Sequence, residues 1–218
     1  MNVLEDPAGL AELQALGVRS VPVLSRGSNF IFGQSTREIV TFLGLQEKSG
    51  PQLSPTELQA RLDKFMTAAI ALLPLMPYEK LHIHVPGRPR SYRALAFHLF
   101  RVVSAFLDAE RGTTLEQAAF REEPAPDADM ASVAAYGAAV QKSFRAWWID
   151  GDTSATRTLP TYYGPQSLHE LLERTTWHSG QHVRQWMMLL EREGVSHPRP
   201  LVEADFAGLP MPKNVWDG

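Results

Sequence analysis

Residues 167–194 read SLHELLERTTWHSGQHVRQWMMLLEREG, and this stretch decides the fold. Ser167 followed by Glu170 has the form of a capping box, in which the two side chains satisfy each other's backbone N–H groups at a helix start. Gly194 is the residue type that closes a helix in the left-handed conformation. Between them no proline interrupts a run of about seven turns. His178 and His182 are four apart, so at about 100° per residue they lie within about 40° of each other, one turn apart. Their stripe includes Thr175, Gln185 and Leu189, so it faces the edge of a core.

The same grammar recurs upstream. Ser54-Pro55-Thr56-Glu57 supplies an N-cap, a proline at the first helical position and an acid at the third. Leu58, Leu62, Phe65, Met66, Ala69, Ile70 and Leu73 then follow at spacings of three and four. The pattern repeats over 91–110 through Leu95, His98, Leu99, Val102, Phe106 and Ala109, and a third helix is expected over about 130–148. The acidic, proline-bearing stretch 116–129 reads as a crossover loop. Four long amphipathic helices make the chain mainly α, a four-helix bundle over 52–196.

Residues 1–47 differ in character and read as a small α/β element. The expectation is a strand at 2–4, a helix over 8–16 closed by Gly17, a strand over 18–24 interrupted by Pro22, and another at 30–32. Arg26-Gly27-Ser28-Asn29 is the turn between the last two, and a helix capped by Ser35 runs to Leu43. A three-stranded piece of this size cannot cover its own apolar face and must pack on something else. Residues 197–218, with four of the 16 prolines, read as an extended tail.

Composition bounds the function. The 218 residues carry 21 basic and 24 acidic side chains, a net charge of −3, with no Lys/Arg run, which speaks against nucleic acid as a partner. The longest apolar stretch, 66–76, is broken by Pro74 and falls short of the ~20 residues of a membrane span. No secretory signal pattern is visible, so a cytoplasmic protein acting on a small molecule is expected. There is no cysteine, which removes disulfides, thiolate ligands and any thiol nucleophile supplied by the chain. Sulfur chemistry here requires an imported thiol.

Seven histidines sort by spacing. His178 and His182 have the i, i+4 separation that lets one helix face grip a divalent ion. His98 falls within the apolar stripe of the second bundle helix, where a buried imidazole needs a partner and two facing imidazoles offer one. Three neutral histidines leave one position of a tetrahedral ion open, the pattern of catalytic sites. His169 is half a turn out of phase with His178 and faces away. His82 and His84 share a face of an extended segment and form a rival chelating pair. His197 belongs to the tail. Tyr162-Tyr163-Gly164 precedes the histidine helix, and Tyr163 is the candidate for a catalytic hydroxyl near the open position. Arg88 and Arg90 could meet a carboxylate. Trp147, Trp148, Trp177 and Trp186 are candidates for core or pocket walls.

The residues Ala-Phe-His98-Leu, Thr-Trp-His178-Ser-Gly-Gln181-His182-Val-Arg-Gln and Leu-Leu-Glu-Arg-Glu-Gly194 resemble the DinB family, the YfiT-like or mycothiol-dependent isomerase-like four-helix bundles, over 54–194. The family pattern has one histidine on the second helix and a His-x-x-x-His pair with an internal Gln on the last. The resemblance implies a bundle with a crossover connection, commonly a homodimer, binding Zn or Ni through His98, His178 and His182. Several members are transferases or isomerases in which the metal holds a small thiol as thiolate.

The N-terminal stretch, with Leu-Gly17-Val-Arg-Ser-Val21-Pro22-Val23 and Phe-Ile-Phe-Gly33-Gln34-Ser35-Thr, resembles the second half of a glutaredoxin without its Cys-x-x-Cys. In that family the Val-Pro bond is cis, the backbone before it pairs with the cysteine part of glutathione, and a helix N-terminus takes the γ-glutamyl carboxylate. The resemblance implies thiol-binding roles for Val21, Pro22, Gly33, Gln34 and Ser35. Three readings follow: a metal-dependent transferase or isomerase using glutathione or a similar thiol, a metal-dependent hydrolase at the same three histidines, or a non-catalytic metal-bound stress or dimerisation protein.

Overall fold

In a computed structural model, which describes residues 3, 6–19, 21–46, 50–151 and 153–215, the chain divides into two compact units, 1–50 and 51–218. The first unit holds α1 (Pro7–Ala15), a hairpin of β1 (Val23–Arg26) and β2 (Asn29–Phe32), and α2 (Thr36–Leu43). Asp6 caps α1, accepting from the N–H groups of Ala8 and Gly9, and Ser35 caps α2, accepting from Glu38 N–H. Gly17 and Gly44 close the two helices at positive φ, as their positions after each apolar run require.

Two expectations for this unit are corrected. The strand read over 18–24 begins only at Val23, because Pro22 has no N–H to give a ladder. The sheet has two strands in antiparallel register, Val23 opposite Phe32 and Arg26 opposite Asn29. The strand expected at 2–4 lies largely outside the described residues, and Val3 forms a turn.

The second unit is built on α3 (Pro55–Leu72), α4 (Tyr92–Glu110), α5 (Met130–Asp150) and α6 (Leu168–Arg192). Both expected capping boxes are present in full: Ser54 with Glu57 on α3, and Ser167 with Glu170 on α6. Such caps stabilise a helix start by about 1 kcal/mol each. Helices α3 and α4 each pack on both α5 and α6, so α6 is flanked by α3 and α4. Leu62, Phe65, Met66, Leu72, Leu99, Phe100, Phe106, Phe144, Leu172 and Trp186 are buried at the centre. Each such side chain contributes about 1.5–3 kcal/mol by leaving water. Among the described residues, no helix is long and apolar enough to cross a membrane.

The connections position the site. The stretch between α4 and α5 folds a short 3-10 helix, Gln117–Arg121, along α4, where Arg101 grips Glu122 through two hydrogen bonds of 2.7 and 2.9 Å. Before α6, the two-residue strands β3 (Thr158–Leu159) and β4 (Gln166–Ser167) pair as a small hairpin whose end is the α6 cap. The last segment belongs to the second unit. Arg61 donates to the carbonyls of Ala204, Asp205 and Ala207, Lys64 pairs with Asp205 at 2.6 Å, and Phe206 stacks on Phe65.

Candidate metal centre

Helix α4 presents His98 and α6 presents His178 and His182 toward one point. One ring nitrogen from each lies within 4.8 Å of the other two, and among the described residues this is a group of three imidazoles with no carboxylate. His98 Nε2 and His178 Nε2 are 3.4 Å apart. Two nitrogens bound to one tetrahedral ion at about 2.0–2.1 Å stand about 3.3 Å from each other, so this separation suits a shared cation.

The tautomer of His182 follows from its neighbours. Val215 C=O can only accept, so the Gln185 amide nitrogen that reaches it at 3.1 Å is fixed, and Gln185 Oε1 is left facing His182 Nδ1 at 2.7 Å. That oxygen can only accept, so Nδ1 carries the proton. His182 Nε2 therefore holds its lone pair free, and it is buried with no hydrogen-bond partner among the described residues. An outer amide that orients an imidazole in this way is a recurrent feature of metal sites. Gln181 also donates to Val215 C=O, at 2.6 Å, so the C-terminal segment is tied to the helix face bearing two of the histidines.

All three imidazoles are held neutral. Burial, followed by the charge of His182, pushes His98 well below the usual histidine range, against a raising effect from the Phe120 backbone. Burial and the two neighbouring imidazoles push His178 well below it too. Burial lowers His182 to about 4, the Gln185 hydrogen bond opposing. Neutral imidazole is the form that ligates. The His178 ring lies between Trp177, at 5.6 Å and nearly parallel, and Phe120, at 6.3 Å, so apolar walls flank it.

The other candidates separate clearly. His82 and His84 are exposed and join no metal-capable group among the described residues. His169 Nε2 donates to Leu53 C=O at 2.8 Å, away from the cluster. His197 is buried in the tail beside Pro198 C=O. Tyr163 is buried beside Tyr162, its ring 5.1 Å under the Arg174 guanidinium, while Tyr162 rather than Tyr163 meets Phe120, which borders His178. Trp147 and Trp148 cluster with Phe106 and Phe144 at the end of α5, and Trp186 is core.

In the first unit, Gly33 N–H donates to Pro22 C=O at 2.9 Å, and the Val21-Pro22 bond is cis. Val21 is half exposed, and Ser35 spends its hydroxyl on capping α2. Val21, Pro22, Gly33, Gln34 and Ser35 thus lie around the strand β1 entry, the β2 exit and the α2 start.

Sequence reasoning missed Phe120 and the closing segment 212–215, and placed Gln185 on the histidine stripe without giving it a role. Only Gln185 left a signal, its i+3 spacing from His182. No family model matches the chain, and no curated protein matches it.

Proposed function

We propose that His98, His178 and His182 hold a divalent metal ion, zinc first and nickel second, in a bundle of DinB type. With it the protein acts as a transferase or isomerase joining glutathione or a similar small thiol to an electrophilic small molecule. The observation that carries this reading is the meeting of three neutral imidazoles around one point, with one lone pair fixed inward by Gln185. Three neutral ligands leave the ion its full charge and an open position. An ion bound there supplies the lowered pKa that keeps a thiol as its thiolate.

The chain's own groups do the rest. Trp177 and Phe120 shield the His178 ring from water, and Arg174, 5.5 Å from the Phe120 ring, adds positive charge near a developing anion. The cysteine-free sequence agrees with an imported nucleophile. Within the first unit taken by itself, Val21, Pro22, Gly33, Gln34 and Ser35 are assigned to binding the peptide part of a thiol such as glutathione, and a homodimer is the working unit. A hydrolase at the same histidines lacks a carboxylate base in the group.

Calorimetric titration of glutathione into zinc-loaded protein, repeated after chelation, tests the reading. Binding that disappears with the metal puts the thiol on the ion. Binding that persists after chelation confines glutathione to the first unit, and absence of binding in both samples sinks the thiol reading.

A further inference from the structure

The three-histidine group has an opening. A cavity of about 160 Å³ is walled by His98, Ala94 and Arg90, by Phe120, and by Glu122 and Glu123. It is well below the about 300–1,000 Å³ of sites for drug-sized ligands, so it takes a ligand of few atoms, or one arm of a larger one. Arg90, Ala94 and His98 follow each other at intervals of four residues, and the alanine between leaves the space open.

The charges around this cavity are unbalanced. Glu122 is already held by both arms of Arg101. Arg90 is half-buried, and among the described residues its guanidinium has no hydrogen bond or ion pair within 4 Å, with Glu123 acting on it only at longer range. A desolvated guanidinium without a paired anion is costly. Its planar fork matches a carboxylate with two parallel hydrogen bonds. The field of Arg90 also reaches all three imidazoles. A cation in the histidine group, bound by neutral ligands, adds to that positive field.

We propose that Arg90 is the anion-holding residue of this pocket and that the ligand drawn to the three-histidine ion carries a carboxylate as well as its metal-binding atom. The proposal rests on the reading of the site as a thiol-binding metal centre. Arg90 precedes Ser91, the N-cap of α4, and His98 lies about two turns further on, with both residues lining the one cavity. The carboxylate belongs either to the thiol or to the electrophile.

Cobalt(II), standing in for the native ion, makes the test visible, because a bound thiolate gives a near-ultraviolet sulfur-to-cobalt band. Two thiols of similar size are compared, 3-mercaptopropionate and the uncharged 2-mercaptoethanol. In the wild type the acid is expected to bind about tenfold more tightly, the gain of a charge-assisted bidentate contact. In Arg90→Gln, compared with wild type at saturating cobalt, that preference should fall to near unity, and Arg90→Lys should keep part of it. An equal preference in wild type and Arg90→Gln overturns the proposal and leaves the thiol reading intact. If neither thiol produces the band, the thiol reading fails, and succinate decides alone. A change in the visible cobalt bands with wild type but not Arg90→Gln supports the anion site, and any other pattern overturns it. With the 2-mercaptoethanol complex formed, added succinate that shifts the band in wild type alone assigns the carboxylate to the electrophile; no shift assigns it to the thiol.

Discussion

Gln185 does its work through a single proton. Its amide nitrogen is committed to Val215 C=O, its oxygen therefore takes the Nδ1 proton of His182, and the lone pair left on Nε2 points into the histidine group. Gln185→Leu removes that constraint while keeping similar bulk. It is expected to weaken zinc binding about 10–100-fold, the usual effect of deleting an outer-sphere partner. Competition against a chromophoric chelator measures this, with the far-ultraviolet circular dichroism unchanged. His182→Ala goes further and removes a ligand. Metal-dependent thiol binding and turnover should both vanish, and turnover surviving in that variant would show that the reaction centre lies elsewhere.

Helix α6 joins the site to the core through Gly180, which sits between the two histidines. A Cβ there would lie 2.7 Å from Phe65 Cε2 and 3.1 Å from Cδ2, and Phe65 is fully buried and stacked on Phe206, so it has little room to yield. Overpacking of this kind costs about 1–3 kcal/mol, offset by the roughly 1 kcal/mol that alanine gains over glycine within a helix. Gly180→Ala should therefore lower stability by about 0–2 kcal/mol. It should also weaken metal binding, because relief requires α6 to move away from α3 and carry His178 and His182 with it. Phe65→Leu combined with Gly180→Ala should recover much of both losses, a coupling that a double-mutant cycle reads directly.

The same helix shows how far sequence alone reached. The cap at Ser167, the end near Gly194 and the shared face of His178 and His182 are local facts, set by period and residue type, and they stood in the sequence. His98 was legible because an imidazole in an apolar stripe demands a partner. Arg90 stood in the sequence as a candidate partner for a carboxylate, eight residues before His98, but Phe120 and Val215 were not legible as parts of the site. Each reaches the histidines through a contact between segments distant in the chain, and no periodicity encodes such a contact. The strand read over 18–24 failed for another reason: the β-branched residues before Pro22 have strand propensity, but the ladder begins only after the proline.

For the molecule as a whole, three imidazoles held neutral in one place tie stability to pH and to metal. In the unfolded chain each histidine takes a proton below about pH 6.5; in the folded chain His182 does so only near 4, and His98 and His178 are also held well below their usual range. Above pH 6.5 both states are neutral at these positions and stability from them is constant. As pH falls from about 6.5 toward 4, the unfolded state binds protons that the folded state refuses, so stability is lost across that window. For His182 alone the loss reaches about 3 kcal/mol, since each unit of displacement is worth 1.36 kcal/mol. Chelated protein should accordingly show a steady fall in Tm between pH 6.5 and 4. At pH 7, zinc at about 100 times its Kd should raise stability by about 2.7 kcal/mol, or roughly 5–10 °C in Tm for a chain of this length. That gain should shrink as the pH drops, because protons and metal compete for the same lone pairs. A replacement of His98, His178 and His182 together by Gln should flatten the acid limb of the chelated protein and abolish the zinc effect. A triple variant whose Tm still fell as steeply with acid would mean that other groups, not this cluster, carry the pH dependence.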